Sequence, residues 1–253
     1  IGDPSSGFKT LIALQAYAQG KGNPPQNAQA AKYRVFHTLR REDENTYPYL
    51  EGADVRRYLL SWSGEYLRYG PWLAEHQPLE RFCGPRILIR EIIKAPPYLM
   101  SACLLKDLYL YNRSILHILP CPETPEMDIW ALLAIMNSKL ASFLIRLTGR
   151  KSQRRIFPKI VNADLQDFPL PPGLSEHARK LFELSGKMSA MMGDLRESVS
   201  RQEQMPLLSG LPETVELASP GILELQGEID AAVYAAYGLS PDEIRAVEEI
   251  LEV

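Results

Sequence analysis

An α+β fold is the class this sequence predicts: a mixed sheet followed by a helical C-terminal region that contains a long helix. Three observations carry that expectation. Pro85 to Ile93 reads Pro-Arg-Ile-Leu-Ile-Arg-Glu-Ile-Ile, a strand with Leu88, Arg90 and Ile92 on one face and Ile87, Ile89 and Glu91 on the other. Met127 to Leu147 is a long apolar stretch interrupted by Asn137-Ser138-Lys139, which predicts a helix, a short break and a second helix. From Ser175 to about Gln204, Leu181, Met188 and Leu195 recur seven apart, as do Ser185, Met192 and Val199. Together they make one stripe at near-heptad spacing. Gly186 and Gly193 lie off it.

The remaining elements follow in chain order. Residues 1–48 hold the apolar run Leu11-Ile12-Ala13-Leu14, read as a strand, and then a long loop through Gly20-Lys21-Gly22-Asn23-Pro24-Pro25-Gln26. A helix is excluded there, because proline lacks an N–H and restricts its predecessor. Tyr-rich segments Thr46 to Leu50 and Val55 to Leu60 bracket the turn signal Glu51-Gly52-Ala53-Asp54. Leu108 to Leu110 and Ser114 to Leu119 suggest two more strands, with Asn112 between them. Pro158 and Phe168-Pro-Leu-Pro-Pro-Gly173 mark a linker. Residues 1–172 are therefore expected to form one domain and residues 173–253 a helical region. Residues 205–221 read as loop. Ile222 to Tyr237 reads as a helix stopped by Gly238, and Ser240-Pro-Asp-Glu243 opens another with a serine cap.

The 253 residues are 45% hydrophobic and 23% charged, an ordinary globular composition that argues against global disorder. The net charge of −3 hides an asymmetry. Residues 1–159 carry 22 basic and 14 acidic side chains, whereas residues 160–253 carry 6 basic and 17 acidic. A basic two-thirds joined to an acidic third is a clue to polyanion binding. Cys83, Cys103 and Cys121 are odd in number and form no C-x-x-C pair, so they are expected to be buried thiols in a reducing cytoplasm. No apolar run reaches the ~18–20 residues of a membrane span, and no signal peptide is evident. The chain starts at Ile1 in mid-phrase, and a fragment of a longer protein is expected.

No catalytic or metal centre is legible. Asn23-Pro24-Pro25-Gln26 resembles the Asn/Asp-Pro-Pro-aromatic motif of amino-group methyltransferases, but Gln26 has no ring to stack on a flipped base. It is read as a structural loop. Glu91 and Lys94 miss the Glu-x-Lys spacing of a nuclease by one residue. His37, His76, His117 and His177 lack ligand spacing. What stands out is positive charge. Lys139, Arg146, Arg150, Lys151, Arg154, Arg155 and Lys159 lie in a stretch with no acidic residue, and Thr148 to Arg155 is expected to be an exposed loop. Arg56-Arg57-Tyr58 forms a second patch, offset by Asp54 and by Glu42, Asp43 and Glu44 upstream. Tyr47, Tyr49, Tyr58, Trp62, Tyr66, Tyr69 and Trp72 are interleaved with it, and packing rather than base stacking is the expected use.

Gly20-Lys-Gly-Asn-Pro-Pro-Gln26, Tyr49-Leu-Glu-Gly-Ala-Asp-Val-Arg-Arg-Tyr58, Tyr69-Gly-Pro-Trp-Leu73, Pro85-Arg-Ile-Leu-Ile-Arg90 and Leu133-Ala-Ile-Met-Asn-Ser-Lys-Leu140 occur in this order. Phe168-Pro-Leu-Pro-Pro172 and the tail from Glu228 to Ile244 follow. The set resembles the TaqI-like C-terminal specificity domain of adenine-specific DNA methyltransferases and fused restriction–modification enzymes. The resemblance implies a target recognition domain for double-stranded DNA. The methyltransferase catalytic domain of the same parent chain, with its S-adenosylmethionine, would lie outside this fragment, which needs no cofactor of its own. From charge, DNA contacts are expected from Lys21, Arg150, Lys151, Arg154 and Arg155, then from Arg56, Arg57 and Lys139. The long helix is expected to act as a spacer, or to dock the catalytic domain or a second copy. Two other readings compete: a methyltransferase or endonuclease in this fragment itself, and a protein-interaction module built on that helix.

Overall fold

The computed structural model describes residues 1–202 and 219–252. Residues 205–218 of the expected loop lie outside them. Strand β1 (Phe8–Leu11) is followed by the Gly/Pro loop, helix α1 (Ala28–Lys32) and strand β2 (His37–Thr38). Then come β3 (Thr46–Leu50), β4 (Val55–Arg56), β5 (Leu59–Leu60), β6 (Tyr66–Arg68), β7 (Arg86–Arg90), β8 (Ala102–Leu105), β9 (Leu110–Tyr111) and β10 (Ile115–Pro120). Helices α2 (Glu126–Met136), α3 (Lys139–Thr148), α4 (Asn162–Gln166), α5 (Leu174–Gln202), α6 (Pro220–Ala236) and α7 (Pro241–Glu252) complete the chain. The fold is α+β, as expected.

One sheet has the order β1-β10-β7-β8 and is antiparallel throughout. The second has the order β2-β6-β3-β9, with β3 and β9 parallel, so it is mixed. The alternation read in β7 decides how they pack. Ile87 and Ile89 join a large core with the helices, while Leu88 joins a smaller core with Tyr49, Leu50, Leu67, Leu110 and Tyr111 of the second sheet. All three side chains are fully buried, because β7 is covered on both faces. Arg86 opens this strand inside the protein. Its guanidinium is held by the Gly84 and Asp107 carbonyls, each at 2.8 Å, and by the Tyr111 hydroxyl at 3.1 Å. That network satisfies a cation with no carboxylate beside it.

Three local features were not legible. The segment Val55 to Leu60 folds back on itself, β4 pairing with β5 around Tyr58, which has φ +60° and donates its N–H to the Ala102 carbonyl. Strand β8, which follows the turn at Pro96-Pro97, is a strand beyond those expected. Helix α1 starts directly after the loop, capped by Asn27, whose Oδ1 accepts from Gln29 and Ala30 N–H at 3.0 Å.

The helical readings held in place. The break between α2 and α3 falls at Asn137-Ser138, and both residues are used. Ser138 Oγ caps α3 by accepting from Ala141 N–H at 3.1 Å. The Asn137 amide pairs with both backbone groups of Ala102 in β8, at 2.9 and 3.0 Å. On α5, Leu181, Ser185, Met188 and Met192 are buried against α2 and α6, and Ser185 Oγ donates to the Trp130 carbonyl at 2.8 Å. Most of the stripe is thus packed within the chain, with Leu195 half-buried; the side chain of Val199 lies outside the described residues. Gly238 adopts φ +67° after α6, and Ser240 and Glu243 cap each other at the start of α7. Among the described residues no single helix is long and apolar enough to cross a membrane. The bent pair α2–α3 matches a span by length and composition only, and most of its apolar side chains line the core, Met127 and Leu147 being exposed.

Candidate nucleic-acid interface

Residues 150–157 form the basic loop that follows α3. Gly149 begins it, and a Cβ there would lie 2.5 Å from the Ile145 carbonyl oxygen, so the chain leaves the helix through a gap only glycine fits. Ser152 Oγ donates to the Gly149 carbonyl at 2.9 Å. At the far end Lys159 pairs with Glu91 at 2.6 Å and donates its N–H to the Lys151 carbonyl at 3.1 Å. Between these anchors Arg154 and Arg155 are exposed and make no ion pair among the described residues. Beside them Ile156 and Phe157 are 71% and 72% exposed, Phe157 at φ +52°. Two cations and two apolar side chains on one anchored loop suit a polyanion that also has apolar faces.

The other expected contacts divide. Lys151 is half-buried on the same loop. Arg150 is exposed but paired: it forks across Asp164 at 3.1 Å and Asp167 at 2.6 Å, and its pKa is raised by those hydrogen bonds. Arg57 is a correction. It is 7% exposed, its guanidinium lies over Tyr98, and it donates to the Asn137 carbonyl at 3.1 Å and to the Gln226 amide oxygen. A phosphate cannot reach it. Lys139 is a second correction, because its ammonium pairs with Glu248 of α7 at 2.5 Å. Arg56 is half-buried on β4. The basic stretch has no acid within it, but acids distant in sequence supply partners for Lys139, Arg150 and Lys159.

Lys21 is exposed on the Gly/Pro loop and shares the carboxylate of Glu75 with Arg113. Both cations hold the Glu75 carboxyl below its ordinary range. Arg113, on the turn between β9 and β10, was missed by the sequence reading; a lone arginine beside Asn112 is a faint signal.

The loop reading of Asn23 to Gln26 is upheld. Gln26 is 8% exposed and donates to the carbonyls of Ala16 at 2.8 Å and Trp72 at 2.7 Å, while Ala18 N–H donates to its Oε1 at 3.0 Å. The aromatics pack on one another, Tyr47 edge-on to Tyr69 at 6.0 Å and Trp62 to Tyr66 at 5.2 Å. Of the cysteines only Cys103 is fully buried, and burial pushes its thiol up to about 12. Cys83 is exposed, which corrects the expectation, because it sits at the end of a surface 3-10 turn. His37, Glu51 and Glu65 bring ligand atoms within 4.8 Å of one another, a grouping invisible in the sequence. Arg34 already bridges the two carboxylates, at 3.0 and 2.6 Å.

Residues 47–170 match the family described as the TaqI-like C-terminal specificity domain. This part of the chain is a TaqI-like specificity domain. It takes in β3 to β10, α2 to α4 and the basic loop, so the specificity domain carries the exposed arginines itself. No curated protein matches the chain. Solved structures similar to it include the type IIL restriction-modification enzyme MmeI in complex with DNA, with 10% identity and a TM-score of 0.49 over 96% of this chain and 35% of that one. A type I restriction-modification assembly follows, with 13% identity and a TM-score of 0.42 over 92% and 44%. The HsdS subunit from Thermoanaerobacter tengcongensis has 16% identity and a TM-score of 0.32 over 93% and 46%. The chain spans less than half of each of those chains.

Proposed function

We propose that this chain recognises a specific site in double-stranded DNA, as the non-catalytic specificity module of a restriction–modification adenine-N6 DNA methyltransferase in the cytoplasm. The observation that carries the reading is that the specificity domain presents an anchored loop on which Arg154 and Arg155 are exposed and make no ion pair among the described residues. Cations in that setting neutralise phosphates and release counterions. Ile156 and Phe157 on the same loop supply apolar surface for sugars or base faces. Lys151 and Lys21 extend the contact, and Arg150 borders it. Arg57 and Lys139 are left out, since Arg57 is buried and Lys139 is paired with Glu248.

The methyl transfer belongs, in this reading, to a catalytic domain of the parent chain that binds S-adenosylmethionine and docks against this module. Gel-shift titration of the chain on duplex DNA at 50 and 200 mM salt is the test (both concentrations about those at which such slopes are usually measured). Binding that weakens steeply with salt supports the reading, and no binding at the lower salt overturns it. Calorimetry with S-adenosylmethionine separates the competing enzyme: saturable binding to this chain would place the cofactor site here instead.

A further inference from the structure

A polar cleft of about 460 Å³ lies beside the basic loop, lined by Gln15, Glu91, Asn112, Arg113, Ser114 and Lys159. Three distant segments meet there. Gln15 and Glu75 exchange both backbone hydrogen bonds at 2.9 Å. Arg113 comes from the β9–β10 turn. Lys159 comes from the end of the basic loop and links the cleft to Lys151. The sequence-predicted Lys21 joins through Glu75, so the cleft connects the two basic regions.

Arg113 is placed rather than merely present. Asn112 Oδ1 accepts from Ser114 N–H at 2.8 Å, its carbonyl accepts from Ile115 N–H at 3.1 Å, and it bridges Leu14, which makes the turn stiff. One terminal amine of Arg113 donates to Glu75. The rest of the guanidinium has no partner among the described residues, and the side chain is 48% exposed. A guanidinium fixed on one edge and bare on another offers parallel N–H groups. That fork fits O6 and N7 of guanine in the major groove. Charge decides between a base and a phosphate. Lys21, Glu75 and Arg113 together carry one net positive charge, because the carboxylate cancels one cation. Such a cluster is a poor phosphate site compared with Arg154-Arg155, whereas an orienting carboxylate is what a directional base contact needs.

We infer that Arg113 reads a guanine edge and that Glu75 is its positioning residue. The inference rests on the DNA-binding function proposed above. Its test is selection from a randomised duplex library with the full 253-residue chain, comparing wild type, Arg113→Ala, Arg113→Lys and Glu75→Gln, each checked for an unchanged melting profile. Wild type should enrich a motif containing a fixed G·C pair. Arg113→Ala and Arg113→Lys should lose discrimination at that pair by about 5- to 150-fold. Arg113→Lys should keep the salt dependence, because the charge remains and only the fork is gone. Glu75→Gln should weaken discrimination at the same pair and no other. If the folded Arg113 variants enrich the wild-type motif unchanged, this inference fails and the proposed function stands; if wild type binds duplex DNA without enriching any motif, site-specific recognition falls and only non-specific DNA binding remains. If wild type binds no duplex DNA, the proposed function falls, and the inference with it.

Discussion

The Arg57 guanidinium lies 3.8 Å from the centre of the Tyr98 ring, and the Tyr98 hydroxyl donates to Asp230 of α6 at 2.8 Å. Asp230 also accepts from the backbone N–H of Lys139 at 2.9 Å. These contacts tie the β4–β5 turn, the α2–α3 break and α6 into one buried polar network. Burial raises the Asp230 pKa, and the neighbouring donors and cations oppose that shift. The specificity domain and the acidic helices therefore share a core and a polar junction.

Arg57→Ala should cost about 2–4 kcal/mol of stability, since it leaves the Gln226 oxygen and the Asn137 carbonyl without their donor. Urea unfolding would show it as a lowered midpoint at unchanged slope. DNA affinity per folded molecule should not move, and a large affinity loss with intact stability would return Arg57 to the binding surface.

The pair Arg154→Ala and Arg155→Ala should leave stability alone, because neither side chain pairs with anything among the described residues. Its signature is in binding. Losing two phosphate contacts should reduce the slope of log K against log salt by about 2. An unaltered slope would move the phosphate site elsewhere.

His117 is fully buried on β10, where burial and the Arg86 and Arg81 charges lower its pKa to about 4. Between pH 4 and 6.5 the unfolded chain then binds more protons than the folded one, so stability rises with pH. The contribution is complete above pH 6.5 and fades as pH falls toward 4, by an amount on the order of 3 kcal/mol. His117→Leu should flatten that slope, which denaturation at pH 7 and pH 5 would measure; a slope equal to wild type would assign the acid sensitivity to other groups such as His37.

Gln26→Ala should cost about 2–3 kcal/mol through its three buried hydrogen bonds. Hydrogen exchange should accelerate at the Ala18 amide, which donates to Gln26. Unchanged protection there would mean that the loop carrying Lys21 is held by other contacts.

Period and turn chemistry were local, and so they could be read from the chain alone. The two faces of β7, the stripe on α5, the break at Asn137-Ser138 and the capping pair Ser240–Glu243 all follow from neighbours within one or two turns. The same holds for the loop at Gln26, since two prolines and two glycines leave no helical alternative. What the sequence alone determined was the α+β class, the positions of the longer helices and the presence of excess positive charge. Only the tertiary structure decided which cations remain available. Glu248, Asp164, Asp167 and Glu91 arrive from other elements to pair with Lys139, Arg150 and Lys159, while the core encloses Arg57. Arg113 gained its place in the same way, because Glu75 and Gln15 meet it only when the sheets pack. Local preferences act between residues close in the chain; charge pairing acts between whatever packing brings within a few ångströms, and no spacing in the sequence encodes that distance.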